Sequence, residues 1–155
     1  MNEKKIVVYL DNCCFNRPFD DQSQLIIHIE SIAKLYIQSK VLAGDFEIVW
    51  SDILEYENSK NPFVERSKRI IKWKNISSIF IQSTSDVIDK AKEIMRFGLK
   101  PKDALHISSA ISARANYFIT TDKGIIKKAT DIKETIIINP IDFVKEMETE
   151  NENED

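Results

Sequence analysis

Glycine is scarce in this chain, at only three of the 155 residues. A Walker-type phosphate-binding loop and the dinucleotide-binding fingerprint both need several glycines within a few residues of one another. Neither pattern occurs, and the sequence contains no internal repeat. Nucleotide-binding folds that depend on a glycine-rich turn are therefore excluded.

Cysteine and histidine are also few. The two cysteines, Cys13 and Cys14, are adjacent, and neighbouring cysteines rarely pair because the bridge would be strained. Two cysteines do not make a disulfide framework, and with two widely separated histidines a structural zinc site is not expected. We therefore expect two small, free thiols in a reducing compartment.

Long apolar runs are missing as well. None approaches the roughly 20 residues that a membrane-spanning helix needs. The N-terminal run from Ile6 to Leu10 is too short for a signal peptide and no small-residue cleavage site accompanies it. This run predicts a buried strand, and the sequence predicts a cytoplasmic protein with no membrane partner.

The net charge of −3 is unevenly distributed. Residues 146–155 contain six of the 25 acids and none of the 22 bases, so the rest of the chain carries +3. This low-complexity segment predicts a disordered tail that follows one folded domain of residues 1–145. The tail is interpreted as a solvating segment; the alternative is an electrostatic competitor that covers a basic surface when no substrate is bound.

Short β-branched runs alternate with helical patterns along the chain, which predicts an α/β fold with a parallel sheet covered by helices on both faces. One predicted helix has an apolar stripe formed by Leu25, Ile26, Ile29, Ile32, Ala33 and Tyr36. The five predicted strands are 6–10, 47–50, 76–81, 117–120 and 135–138; the predicted helices are 22–42, 51–57, 62–73, 83–97, 102–115, 123–129 and 140–147.

Acidic residues stand where the predicted strands end. Asp11 follows the first strand, Glu57 lies in the helix after the second, and Asp122 follows the fourth. Asp103 lies in the first turn of the helix before the fourth strand. Because ligands bind at the carboxyl ends of parallel strands, these acids are the candidate site. Glu55 competes with Glu57, since on a helix the two point about 200° apart.

Each acid also has a structural explanation. Asp122 is typical of a helix N-cap, and Asp103 suits the positive end of a helix dipole. Two carboxylates 4 Å apart, however, repel by about 4 kcal/mol at an effective dielectric constant of 20. A cluster of four therefore needs protonation or a divalent cation. Oxygen ligands without histidine or cysteine favour Mg²⁺ or Mn²⁺, which can activate water against a phosphodiester.

Four segments together resemble the acidic motifs of the PIN-domain family, which includes toxin ribonucleases and stand-alone nucleases. They occur in the family's order and span nearly the whole predicted domain; the pair Asp-Ala-Leu-His and Thr-Thr-Asp is the more specific part. The segments are Tyr9-Leu10-Asp11-Asn12, Ser51 to Glu57, Lys102-Asp103-Ala104-Leu105-His106 and Ile119-Thr120-Thr121-Asp122.

The resemblance implies a three-layer α/β/α sandwich and a site formed by Asp11, Glu57, Asp103 and Asp122, which would hold Mg²⁺ or Mn²⁺. Thr120 is similar to the family's hydroxyl residue beside the last acid. The implied activity is endoribonuclease cleavage of RNA. The implied partners are an antitoxin protein and a second copy of the chain, as a homodimer.

Two segments depart from the family pattern. Many members follow the first acid with Thr-Asn, whereas Asn12-Cys13-Cys14 follows here, and Lys123-Gly124 replaces a further acid found in some members.

His106 is interpreted as a histidine bonded within the helix–sheet interface, with a proton shuttle as the alternative. Asp20 and Asp21 are predicted to cap the first long helix. Possible phosphate contacts near the edge are Arg17, Lys100, Lys102, Lys123, Lys127 and Lys128.

Other functions remain open at this point. A PIN-like domain with an incomplete metal site could bind RNA or a protein without turnover. An aspartate-nucleophile phosphatase needs a second acid two residues after Asp11, where Cys13 stands. A signalling receiver needs its acceptor acid after the third strand, where Gln82 and Ser83 stand. Both of these α/β classes are weakly supported.

Overall fold

A computed structural model describes residues 4–154. Within them, five parallel strands form one sheet in the order β3-β2-β1-β4-β5, with helices on both sides, so the predicted three-layer α/β/α sandwich is confirmed. The strands are β1 Ile6–Leu10, β2 Phe46–Ser51, β3 Ile79–Ile81, β4 Tyr117–Ile119 and β5 Ile136–Ile138. The helices are α1 Asn12–Asn16, α2 Leu25–Leu42, α3 Asp52–Ser59, α4 Val64–Ile76, α5 Ser85–Ile94, α6 Pro101–Ser112, α7 Lys123–Lys128 and α8 Pro140–Glu154, with 3-10 turns at Arg17–Phe19 and Met95–Phe97.

The apolar content of each strand matches its place in the sheet. The central strands β1, β2 and β4 contain most of the fully buried strand residues, whereas the edge strands β3 and β5 are partly exposed. A strand covered by helices on both faces must be apolar at nearly every position. At the centre, the ring of Tyr9 stacks on Phe118 with centroids 5.3 Å apart.

Local capping chemistry sets several element boundaries as predicted. The Ser51 hydroxyl accepts a hydrogen bond from the backbone N–H of Leu54 and caps α3. The Asp122 carboxylate caps α7 through Gly124 and Ile125. These side chains satisfy amides that have no partner within the helix, which fixes where each helix begins.

The start of α2 differs from the prediction. Asp20 and Asp21 do not cap the helix, which begins at Leu25 after an N-cap, Gln24, whose side chain makes no capping hydrogen bond. Asp21 instead accepts bonds from the N–H and hydroxyl of Ser23, and Asp20 forms ion pairs with two arginines. The local turn and these ion pairs compete successfully with helix capping.

The apolar stripe predicted on α2 is largely exposed rather than buried. Leu25 is 72% exposed, Ile26 51% and Ile32 54%; of the stripe only Ala33 is buried. The buried face is lined instead by Glu30, Ser31, Ala33, Lys34, Ile37, Gln38 and Val41. The reason is visible in two contacts: Ser31 donates to the carbonyl of Arg17, and Glu30 forms an ion pair with the same residue.

Other predicted bounds shift for local reasons. The helix predicted from residue 62 begins at Val64, because the Asn61 side chain accepts a bond from the N–H of Phe63 and prolongs the turn. The five-residue helix α1 has no clear periodicity and was not predicted. The predicted strand 76–81 is reduced to three residues, because α4 continues to Ile76.

The closing helix is longer than predicted. We expected it to end near Met147 and a disordered tail to follow from residue 146, but α8 continues to Glu154. Met147 is buried in the core and Tyr36 donates a hydrogen bond to Glu148. These contacts hold the helix beyond the predicted boundary; Asp155 lies outside the described residues. In residues 4–154, no helix combines the length and apolar character needed to cross a membrane.

Candidate active site

The strand order creates a crevice between β1 and β4. From this pair the sheet continues in opposite directions, which is where open α/β sheets bind ligands. Asp11 follows β1 directly, and its N–H donates to the carbonyl of Ile119 at 2.9 Å. Thr120 and Asp122 follow β4. Two of the four predicted acids are thus delivered to one crevice by adjacent strands.

Asp11 is the most buried of the four acids, with 6% of its surface exposed. Its Oδ1 accepts from the N–H of Asn12 at 2.8 Å, and its Oδ2 accepts from the Thr120 hydroxyl at 2.8 Å. The Cys13 thiol lies 3.5 Å from Oδ2. Hydrogen bonds to the ionised form offset the cost of burying this carboxylate and fix its orientation.

Thr120 joins two of the acids. While its fully buried hydroxyl donates to Asp11, the same oxygen accepts from the N–H of Asp122 at 3.1 Å. Asp122 uses Oδ1 to cap α7, from Gly124 at 2.8 Å and Ile125 at 3.2 Å. The predicted N-cap is therefore present, and Oδ2 accepts no hydrogen bond from a described residue.

The choice between Glu55 and Glu57 is settled by their partners. Oε1 of Glu57 lies 2.7 Å from Nε2 of His106, and that same Nε2 is 3.9 Å from Asp11. Glu55 is directed away and forms a half-exposed ion pair with Lys74 at 2.6 Å. Glu57 is therefore the acid of α3 that belongs to the cluster.

A buried chain of hydrogen bonds leads to Glu57 from the core. The Tyr9 hydroxyl lies 2.6 Å from the Ser51 hydroxyl and 2.6 Å from Nδ1 of His106. Because Ser51 already accepts from the N–H of Leu54, one arrangement satisfies every hydrogen: Ser51 donates to Tyr9, Tyr9 to Nδ1, and Nε2–H to Glu57. This assignment makes His106 the Nε2–H tautomer when neutral.

The electrostatics of the pair follow from this contact. Burial opposes protonation of His106, but the hydrogen bond to Glu57 and the nearby charges of Asp11 and Glu57 outweigh it and raise the pKa of the imidazole. Burial likewise opposes ionisation of Glu57, yet His106 and Lys102 hold the pKa of this carboxyl below its usual range. These charges favour the protonated imidazole, in which Nδ1–H donates to the Tyr9 hydroxyl and Nε2–H donates to Glu57.

The pKa of the Asp103 carboxyl depends on its burial and on the charges of the other three acids. Asp103 lies half-buried in the first turn of α6, where burial and then the charges of Asp11, Asp122 and Glu57 raise the pKa of its carboxyl. A cavity of about 110 Å³ beside it is lined by Asp122 and by Lys100 and Lys128, among others. The four predicted acids therefore share one electrostatic environment at the carboxyl edge.

Comparisons with known proteins support the fold. No family model matches the chain, and no curated protein does. Among solved structures, it is similar to a chain of VapBC2 from Rickettsia felis, in a crystal structure bound to a DNA fragment from their promoter. The TM-score is 0.54 at 17% identity, over 86% of this chain and 98% of that chain. The fold is PIN-like.

The side chains at this edge of the sheet fit a divalent cation in their chemistry but not in their spacing. Their donors are carboxylate oxygens, which hard cations such as Mg²⁺ and Mn²⁺ prefer. Burial first, and the charges of neighbouring acids second, raise the pKa of Asp103, and a cation would relieve the second effect. Within residues 4–154, however, no group of three histidine, cysteine, aspartate or glutamate side chains stands close enough to form a ready-made cage. The donor atoms are of the kind that such a cation prefers, but among the described residues they do not stand close enough together to enclose one ion.

The predicted phosphate-contacting bases divide into two groups. Arg17 is structural: its NH1 pairs with Asp20 at 3.2 Å, and its Nε lies 3.1 Å from Glu30, although without hydrogen-bond geometry. Lys100 and Lys128 lie beside the acids in the small cavity, and Lys102 acts electrostatically on Glu57. The side of the site near α6 and α7 is therefore the basic one.

Sequence reasoning missed the residues that support the acids. Tyr9 belongs to the first motif segment and to a strand predicted to be buried, where a tyrosine needs a partner for its hydroxyl; that need is the signal for its supporting role. Cys13 was treated as a small thiol, yet it lies 3.4 Å from the Thr120 hydroxyl. His106 occupies the predicted helix–sheet interface, but its second nitrogen reaches the site.

Proposed function

We propose that this chain is a Mg²⁺- or Mn²⁺-dependent endoribonuclease that hydrolyses phosphodiester bonds in RNA. The observation that carries the proposal is the convergence of the acids: the Thr120 hydroxyl joins Asp11 to the N–H of Asp122, and Nε2 of His106 lies 2.7 Å from Glu57 and 3.9 Å from Asp11. Three segments that are far apart in sequence bring Asp11, Glu57 and Asp122 towards α6, at the point where the strand order of the PIN-like sheet reverses. Carboxylates crowded in this way repel one another, and a bound cation would offset that unfavourable free energy.

Each residue has a distinct part in the proposed site. Asp11, Glu57, Asp103 and Asp122 would hold the cation, and when bound it would supply an activated water and neutralise charge on the phosphodiester. Thr120 donates to Asp11 and orients it. His106 donates to Glu57 and keeps one of its oxygens in place. Lys100 and Lys128 are placed to contact phosphates of the substrate.

The proposal extends to partners and location. The VapBC2 neighbour favours a toxin whose cognate antitoxin inhibits it. A homodimer is favoured by the exposed apolar stripe of α2, which includes Leu25, Ile26 and Ile32; contiguous apolar surface of this kind marks interaction sites. Cys13 and Cys14 are both free thiols, consistent with the reducing cytoplasm.

The deciding experiment is cleavage of a panel of structured and unstructured RNAs with Mg²⁺, Mn²⁺ or EDTA. Wild type is compared with the double variant Asp11→Asn/Asp103→Asn, and Asp89→Asn, an exposed acid on α5, is the matched control. We expect metal-dependent cleavage by wild type and the control, and none by the double variant.

The outcomes separate the two functions considered. Cleavage that survives in the double variant would refute the assigned site. RNA binding by wild type without cleavage in any metal would replace the nuclease by a PIN-like RNA- or protein-binding domain. Isothermal titration with Mn²⁺ accompanies the assay, because a wild type that does not bind the ion contradicts the metal site independently of the RNA chosen.

A further inference from the structure

A buried lysine on α2 has no acidic partner. Only 4% of the surface of Lys34 is exposed. Among the described residues, no carboxylate lies within ion-pair distance of its ammonium group and none accepts a hydrogen bond from it; Nζ lies 5.5 Å from the centroid of the Phe15 ring. A charge in a mostly buried position without an ion-pair partner among the described residues is unfavourable, and an anion bound beside it would offset that cost.

A second donor lies one turn further along the same face. Gln38 is 5% exposed, and its Nε2 is buried without a hydrogen-bond partner among the described residues. Residues four apart on a helix project side by side. Buried amide groups are almost always hydrogen-bonded, so the unpartnered Nε2 of Gln38, beside an ammonium group that has no ion pair among the described residues, requires an explanation.

Both residues line one groove. Its volume is about 370 Å³, and it lies between α2, α4 and the turn that follows α1. Aromatic rings of Phe15, Phe19 and Trp73 form much of its wall, Arg69 also lines it, and none of the described lining residues is acidic. The groove thus combines an apolar wall with hydrogen-bond donors of positive charge.

We propose that this groove binds a carboxylate carried on an apolar stem, with Lys34 and Gln38 donating to its oxygens. The ligand is a free organic acid or the acidic side chain of an apolar peptide. A monoanion suits one buried ammonium, and the aromatic wall covers the stem. Burial lowers the pKa of Lys34 to about 8, so the ammonium form still dominates at neutral pH. This site does not depend on the nuclease.

The test is an NMR titration of ¹⁵N-labelled full-length protein that follows the Gln38 side-chain amide and the Trp73 indole. Two probes distinguish the sources: sodium hexanoate, and the blocked peptide acetyl-Leu-Glu-Phe-amide. Their neutral counterparts are hexanamide and acetyl-Leu-Gln-Phe-amide. We expect saturable shifts of both signals with at least one acidic probe and none with its neutral counterpart; the probe that acts identifies the source.

Variants locate the site. In Lys34→Met we expect affinity to fall about tenfold or more, because a charge-assisted hydrogen bond is lost. Gln38→Leu should weaken binding less, and it remains informative if Lys34→Met does not fold. Lys72→Met, at an exposed position of α4, is the control and should bind as wild type does. Equal binding by Lys34→Met and wild type, or no response to either acidic probe, would overturn the proposal.

Discussion

The hydroxyl of Tyr9 offers the sharpest test of how the core supports the site. Tyr9→Phe removes one oxygen from a fully buried ring and leaves the ring's packing on Phe118 intact. The oxygen bonds to both Ser51 and His106 at 2.6 Å, so its loss leaves the hydrogen of the Ser51 hydroxyl without an acceptor and Nδ1 of His106 without a partner.

The magnitude follows from these two broken contacts. Each unsatisfied buried polar group costs about 1–3 kcal/mol, so we expect Tyr9→Phe to lower the free energy of unfolding by roughly 2–6 kcal/mol. In a domain of this size, a loss near 3 kcal/mol corresponds to a fall in Tm of about 6–12 °C. Urea denaturation and calorimetry of the same samples measure both quantities.

A matched control and a cycle make the test specific. Tyr56→Phe, on the half-exposed Tyr56 of α3, should change stability by less than about 0.5 kcal/mol. A double-mutant cycle of Tyr9→Phe with His106→Asn should give a coupling energy of about 0.5–3 kcal/mol. A Tyr9→Phe variant as stable as wild type would refute the inferred hydrogen-bond chain, because it would mean that the hydroxyl satisfies neither neighbour.

Three further predictions concern His106 and α2. His106→Gln keeps a nitrogen donor at the position of Nε2, whereas His106→Asn does not. Electron paramagnetic resonance should therefore show a Mn²⁺ affinity near that of wild type for His106→Gln and an affinity about 10–100-fold lower for His106→Asn. Equal affinities of the two variants would contradict the supporting role of His106. Because the pKa of His106 is raised above its ordinary 6.5, its pairing with Glu57 contributes fully below that pH and is lost as pH rises through the raised pKa. Because the pKa of Glu57 is lowered from 4.5, the same pairing is lost as pH falls through that lowered value. The stability difference between wild type and His106→Gln, measured by urea denaturation across this range, should therefore decline on both sides, and a flat difference would contradict it. Finally, Ile32→Glu on the exposed stripe should convert a dimer to a monomer in light scattering, with the exposed Asp86→Asn as control; a wild type that is already a monomer would exclude the dimer.

The positions of the acids were predictable because they follow from local rules. A strand that is apolar throughout ends in a polar residue at the sheet edge, and Asp11 and Asp122 occupy such positions. Which acid of α3 belongs to the cluster was not predictable in the same way. Glu55 and Glu57 have equal helical propensity, and the choice depends on Lys74 from α4 and His106 from α6. Those contacts arise only when distant segments pack.

The helix α2 shows why apolar periodicity alone misplaces a face. A stripe of leucine and isoleucine predicts an apolar surface that something must cover, but the pattern does not say whether the sheet or another molecule does so. Here the buried face of the helix is a mixed one, which contains four polar side chains besides Ala33, Ile37 and Val41. Glu30 and Ser31 find partners in the turn after α1. Among the described residues, Lys34 has no ion-pair partner and Nε2 of Gln38 has no hydrogen-bond partner. In this orientation α2 leaves an apolar stripe exposed on the protein surface, and on its buried face it leaves an ammonium group without an ion pair and an amide without a hydrogen bond among the described residues. Both features point to ligands or partners beyond the single chain, and neither follows from the nuclease site.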